Sequence, residues 1–327
     1  MEDTRSNRHI WQLVMLIMIL GITAVLFILF VDVAAVYREL RHAQPVYMLV
    51  ASLLLLAGLS CFALRWRFLL QNRPGFWHTF HAANIGHAGN MLLPGRVGEP
   101  ARIVVMGQDG SVSYTEATSS FVVERLFEQM MRLLALATAV TLGAGLTITP
   151  RAIGSGLLFL AIAFSLIFWL VRNRQWTMQW GTAVLSKLPR VTPEKAAHWL
   201  GDLLDNLQYV SSLPHTVQTI GWSLLSWLFF GGFFYLVLLA LGDRITAAER
   251  LPIAIGALAL SPPSAATQPG LFHGSVVIPL TAVGYDRNIL TAYAILLHII
   301  EMFWIILLAI VGLWQTGISV TAVMRRP

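Results

Sequence analysis

Six stretches of this sequence, residues 10–31, 46–64, 120–146, 152–171, 219–241 and 289–314, stay apolar for about twenty residues or more. At roughly 1.5 Å per residue, each can carry its backbone across about 30 Å of hydrocarbon as a single helix. Lipid leaves little alternative, because a spanning segment must satisfy its N–H and C=O groups within itself. The sequence therefore predicts an all-α polytopic membrane protein with about six full spans. Composition agrees: 57% of the 327 residues are hydrophobic and 12% are charged, against roughly a quarter charged in a soluble domain. The first run follows Arg5 and Arg8 and is 22 residues long. A signal-peptide core is shorter, roughly 7–15 residues, so this run is expected to remain as a transmembrane helix.

Two further apolar regions are broken midway. Residues 76–108 contain LLPGRVGEP and residues 251–284 contain SPPSAATQPGLFHG. Proline and glycine there free backbone groups that lipid cannot satisfy, so such breaks persist only inside protein or beside a wet cavity. Both regions are expected to be re-entrant helical hairpins. Their turns fall at Pro94-Gly95 with Gly98 and Pro100, and at Pro269-Gly270 with Gly274.

The charges between the runs set an orientation. Arg5, Arg8, Arg65, Arg67, Arg73, Arg172, Arg174, Lys187, Arg190, Lys195, Arg325 and Arg326 fall on one side if residues 76–108 turn back on themselves. That side is expected to be cytoplasmic, with both termini on it. The opposite loops are balanced, for example Asp32, Arg38, Glu39 and Arg41. The net charge of +6 is thus spread through short loops, which suits anionic lipid headgroups and argues against nucleic acid. Within the long 172–218 loop, Trp199, Leu203, Leu207 and Val210 recur at helical spacing. An amphipathic helix on the membrane or on the bundle is expected over 194–213.

This layout repeats. Span 46–64, hairpin 76–108 and span 120–146 are followed by span 219–241, hairpin 251–284 and span 289–314. From Pro94-Gly95 to Glu124 is thirty residues, and from Pro269-Gly270 to Glu301 is thirty-two. The halves would enter from opposite sides, making an inverted repeat, and paired discontinuous helices in such halves mark transporter binding sites. The whole chain is read as one membrane domain: first span 10–31, half one 46–146, linking segment 152–218, half two 219–314.

Few polar groups lie within the apolar runs. Arg96, Glu99 and Arg102 share one helical face, and a pair of guanidiniums at a helix start suits a phosphate. Asn90 precedes them, and Glu124 and Arg125, with Glu128 and Arg132, follow at helical spacing. Glu301 stands near the middle of the last span with His298 one turn before it, a pair suited to proton relay or headgroup binding. Gln268 and His273 would line the second hairpin. His78, His81 and His87 lack the spacing of a metal site, and one cysteine, Cys61, excludes a disulfide framework or cysteine-based metal cluster. No phosphate-binding glycine loop and no GxSxG is present, so neither ATP hydrolysis nor serine catalysis is indicated. No cofactor or metal is expected.

The pattern Asn90-x3-Pro94-Gly95-Arg96-x-Gly98-Glu99-x2-Arg102, then Glu124-Arg125 and the later Pro269-Gly270 with Gly274, resembles the lysylphosphatidylglycerol synthase transmembrane-region family. The likeness covers nearly the whole chain, though Leu271-Phe272-His273 departs from the small-residue run of the second half. Family members include the bacterial multiple peptide resistance factors, whose membrane part moves aminoacylated phosphatidylglycerol between leaflets while a separate soluble domain makes it. The resemblance implies a flippase-like translocase of an anionic phospholipid or polyprenyl-phosphate-linked lipid, without the synthase domain and not itself an enzyme. Arg96, Arg102 and Arg125 would meet the phosphate, and Glu99, Glu124 and Glu301 would orient them or read the headgroup. Two other readings stay open: an embedded headgroup-modifying enzyme using Glu99, His87 or Glu301, and a non-transporting partner of a lipid-synthesis enzyme. Lipids are the expected partners, with such an enzyme and a second copy of the chain as protein partners to look for.

Overall fold

The computed structural model describes residues 37–38, 40–92, 96–108, 110–142, 150–188, 191–242, 245–261 and 270–316. These form eleven helices, with no strand among the described residues. In chain order they are α1 (Pro45–Leu69), α2 (Phe76–Leu92), α3 (Gly98–Gly107), α4 (Tyr114–Thr141), α5 (Pro150–Arg172), α6 (Arg174–Leu185), α7 (Pro193–Ser211), α8 (Leu213–Ala240), α9 (Ala247–Leu260), α10 (Leu271–Ala282) and α11 (Arg287–Thr316). The run at 10–31 and both chain ends lie outside the described residues.

Four of the helices, α1, α5 from Gly154, α8 and α11, are long and apolar enough to cross a membrane. Helix α4 is as long as α8 but carries Glu116, Glu124, Arg125, Glu128 and Arg132. Its start is fixed by a capping box: Ser113 accepts from the Glu116 N–H while Glu116 accepts from the Ser113 N–H, which satisfies two amides that a helix start leaves unpaired. The two interrupted regions are indeed broken helices: one gap separates α2 from α3 and the other separates α9 from α10.

Packing assembles these helices crosswise. Helix α1 lies against α8, α2 against α11, and α9 against α4. The α1–α8 contact is close because Gly58 has no side chain; a Cβ there would meet the Phe230 ring at 2.7 Å. Ser226 donates to the Gly58 carbonyl across the same seam at 3.2 Å. Small residues at crossings compensate for the weak hydrophobic drive between helices in lipid, because they let dispersion contacts form over a longer stretch. The main core is a cluster of mostly Leu, Phe, Ala and Val drawn from α1 to α4 and α8 to α11, and a smaller cluster joins Leu69, Val123 and Phe127 to Leu207 and Val210 of α7.

The helix expected over 194–213 is present as α7, and the segment before it forms a further helix, α6, that was not expected. Helix α7 lies on the bundle, with Leu204, Leu207 and Val210 buried against it, but Trp199, expected on that apolar face, is 54% exposed. The face that packs is rotated from that one: Ala196, Leu204 and Asn206 are buried, and Asn206 donates to the Glu116 carbonyl of α4.

Candidate functional site

The first hairpin is built on glycine. A Cβ on Gly98 would lie 1.8 Å from the Gly86 carbonyl oxygen and 2.5 Å from the Asn90 nitrogen, far inside van der Waals contact. Only glycine lets α3 start that close to α2. Asn90 then accepts the Gly98 N–H at 2.9 Å, so it fastens the hairpin. Pro100 sits in the first turn of α3, where its missing N–H costs nothing. Pro94 and Gly95, the predicted turn, lie outside the described residues, and Arg96 just beyond has φ +54° and is exposed.

This hairpin presents Glu99 and Arg102 to α4. Arg102 and Glu124 form a two-pronged ion pair at 2.7 and 3.3 Å, with side chains 3% and 0% exposed. The guanidinium is enclosed further by Trp66, Phe121 and Phe62, with ring centres 4.7, 4.8 and 5.8 Å away. Arg125 bridges two carboxylates, Glu99 of α3 at 3.0 Å and Glu128 one turn along α4 at 2.7 Å. The predicted charge cluster is therefore brought together, and its charges are largely matched among themselves. Arg102 is committed to Glu124 rather than open to a ligand.

Beside this network lies a small, partly open cavity of about 70 Å³ between the two halves of the chain. Arg65, His87, Glu128, Arg132, Ser226 and Glu301 reach it, among aromatic walls that include Phe62, Trp227 and Phe272. Several of these groups are buried and unmatched. Arg65 is 1% exposed, and its Nε and Nη2 have no hydrogen-bond partner; its one hydrogen bond is a long one, 3.4 Å, to Ser223. His87 Nε2 and Glu301 Oε2 likewise have no partner among the described residues. Arg132 donates Nη1 to the Ala259 carbonyl at 2.8 Å and to the Ser261 carbonyl. It thereby caps the broken end of α9, where unpaired carbonyls attract a cation. No carboxylate lies within ion-pair distance of Arg65 or Arg132 among the described residues, and Glu128, with Glu124 for Arg65, acts on them only from further off. An unpaired buried hydrogen-bonding group costs about 1–3 kcal/mol and an unpaired ion several more, so this cavity is costly as it stands and a polar ligand would offset that cost.

The second hairpin contributes less charge. Gln268 and Pro269 lie outside the described residues. Gly270 precedes α10 with φ +101°, a conformation that favours glycine, and its N–H meets His273 Nδ1 at 3.3 Å. Gly274, expected at the turn, sits inside α10 instead, where an added Cβ would meet nothing closer than 3.6 Å. His273 and His298 bring their rings to 5.0 Å, and His298, 3% exposed, has neither ring nitrogen paired among the described residues. Glu301 follows one turn on and lines the cavity.

Two cavity residues were missed from sequence. Arg65 reads as a loop charge after the 46–64 run, but α1 continues to Leu69 and carries it inside. The signal was its helical register with Leu55 and Phe62, ten and three residues before it. Arg132 was visible only as a helix-surface charge; its partners are carbonyls 127 and 129 residues away.

No curated protein and no solved structure matches this chain. The family model described as the lysylphosphatidylglycerol synthase TM region matches residues 13–310, a stretch that includes both broken hairpins, the Arg102–Glu124 pair and the cavity. The chain is an all-helical membrane protein that belongs to the lysylphosphatidylglycerol synthase TM region family.

Proposed function

We propose that the protein is a lipid translocase that moves an anionic phospholipid, or a polyprenyl-phosphate-linked lipid, between leaflets of a bacterial cytoplasmic membrane without changing it chemically. The observation that carries this reading is the cavity between the halves, with Arg65 and Arg132 lacking carboxylate partners among the described residues. Guanidiniums so placed match phosphate oxygens with forked donors. The apolar and aromatic walls tolerate the start of a lipid tail, while Glu301, His87 and Ser226 offer polar contacts to the rest of a headgroup. The phosphate role expected of Arg96 and Arg102 passes to Arg65 and Arg132, because Arg102 is held by Glu124 and Arg96 is exposed outside the cavity.

Alternating access would use an inverted repeat. Its support is the packing itself: α1 with α8, α2 with α11, and α9 with α4. Exchanging the first-half helices α1, α2 and α4 for α8, α9 and α11 turns that set of contacts into itself, as a two-fold relation requires. The basic loops favour a cytoplasmic side that holds α6 and α7.

Purified protein in proteoliposomes, with a labelled anionic phospholipid whose outer-leaflet copies are chemically bleached, tests the proposal. Protein-dependent loss of the protected fraction is expected, with Arg132→Gln slowing it strongly and the lipid mass unchanged. Rates equal to those of protein-free vesicles, or conversion of the lipid to a new species, would refute it.

A further inference from the structure

The helix that sequence reading did not anticipate, α6, carries an unpartnered stripe. Trp176, Trp180 and Val184 follow one another at four-residue spacing and are 47%, 60% and 58% exposed, and Leu188 beyond the helix end is 53% exposed. The stripe does not begin at α6. Helix α5 exposes Ile162, Leu166 and Trp169 along the face that a bilayer would cover, and the Trp169 ring meets Trp176 at 5.0 Å, which in turn lies 6.1 Å from Trp180.

Between them the chain bends. Asn173 leaves helical geometry with ψ +46°, and Thr177 donates to the Leu170 carbonyl at 2.9 Å, seven residues back. In a straight helix those residues would be about 10 Å apart along the axis. The apolar surface of a spanning helix thus continues onto a helix that turns away from the span. Arg172 and Lys187 stand exposed at its two ends, with no acidic partner among the described residues. Aromatic rings on one face with basic residues at the margins fit the headgroup boundary of an anionic leaflet.

We infer that α6 is an interfacial docking helix whose partner is the anionic lipid surface of the leaflet next to the basic loops, with Trp176, Trp180 and Val184 seated at the headgroup–acyl boundary. The inner face of α6 is braced for this. Gly181 lies so near α7 that a Cβ would meet Leu200 Cδ2 at 2.5 Å. Helix α7 is tied in turn to the start of α4, where Asp202 accepts from Thr115 and Asn206 donates to the Glu116 carbonyl at 3.4 Å. Leaflet contact at α6 therefore bears through α7 on the helix that carries Glu124, Arg125, Glu128 and Arg132. This inference does not require that the protein transport lipid.

The test uses the full chain with Cys61, its one thiol, replaced by alanine, and single cysteines introduced as Trp180→Cys, Val184→Cys and, on the exposed polar flank of the same helix, Gln179→Cys. Each is labelled with an environment-sensitive dye and reconstituted into vesicles of phosphatidylcholine alone or mixed with phosphatidylglycerol. At 180 and 184 the dye should shift to the blue, be quenched by a nitroxide placed near the lipid headgroup, and resist aqueous iodide. That protection should deepen with phosphatidylglycerol and weaken in Arg172→Gln/Lys187→Gln, while 179 stays open to iodide. Dyes at 180 and 184 as open to iodide as the one at 179 would overturn the inference. Shielding from iodide and nitroxide alike would also overturn it, since a protein surface would then be the partner.

Discussion

Neutralising Glu124 isolates the most buried charge in the structure. In Glu124→Gln the Arg102 guanidinium, 3% exposed and caged by Trp66, Phe121 and Phe62, keeps its charge and loses the carboxylate at 2.7 and 3.3 Å. At an effective dielectric near 20, charge centres about 4 Å apart attract by about 4 kcal/mol. Removing one member of a buried pair costs about 3–5 kcal/mol, because the survivor stays desolvated. We expect that loss for Glu124→Gln and a similar one for Arg102→Met, read by reversible unfolding in mixed micelles. The combined Arg102→Met/Glu124→Met variant should recover most of it, since two apolar side chains leave no uncompensated ion. The double-mutant cycle should then show a coupling of several kcal/mol. A cost below about 1 kcal/mol for Glu124→Gln, or strictly additive effects in the double variant, would refute the reasoning. It would mean that Arg102 reaches water or a ligand and is not sealed against α4.

Gly98→Ala should separate α3 from α2, because the obstructing atoms at 1.8 and 2.5 Å are backbone and cannot rotate away; overpacking of this kind costs about 1–3 kcal/mol or more. Thermal unfolding and translocation should fall together, whereas Gly274→Ala, with no close neighbour, should leave both unchanged. Outside the membrane, burial works to raise the Glu116 carboxyl, but its hydrogen bonds to Arg73 and Ser113 hold it below the ordinary carboxylate range. The stability it adds is complete above about pH 5 and disappears as pH falls through that lowered value. Wild type and Glu116→Gln should therefore differ by about 1 kcal/mol or less at neutral pH, as suits a partly exposed pair, and converge in acid; a gap that widens in acid would contradict the sign.

Much of this protein could be read along the chain. Spanning helices follow from runs of apolar residues, since lipid rewards nothing else, and the two helix breaks follow from Pro and Gly that no continuous helix accommodates. The alignment of Glu99 with Arg102, and of Arg125 with Glu128, was also legible, because i,i+3 spacing places charges on one face of their own helix before any partner is known. What periodicity cannot give is the partner across space. Arg102 was read as a phosphate ligand until folding set it against Glu124, and Arg65 as a loop charge until α1 ran on past the expected end of its span. Arg132 acquired its role only when α9 ended beside it. Sequence alone thus determined the membrane environment, most of the long helices and where two of them break, because these depend on local backbone chemistry and hydrophobicity. Tertiary structure decided which buried charges cancel and which remain to face a ligand, because that depends on contacts more than a hundred residues apart in the chain.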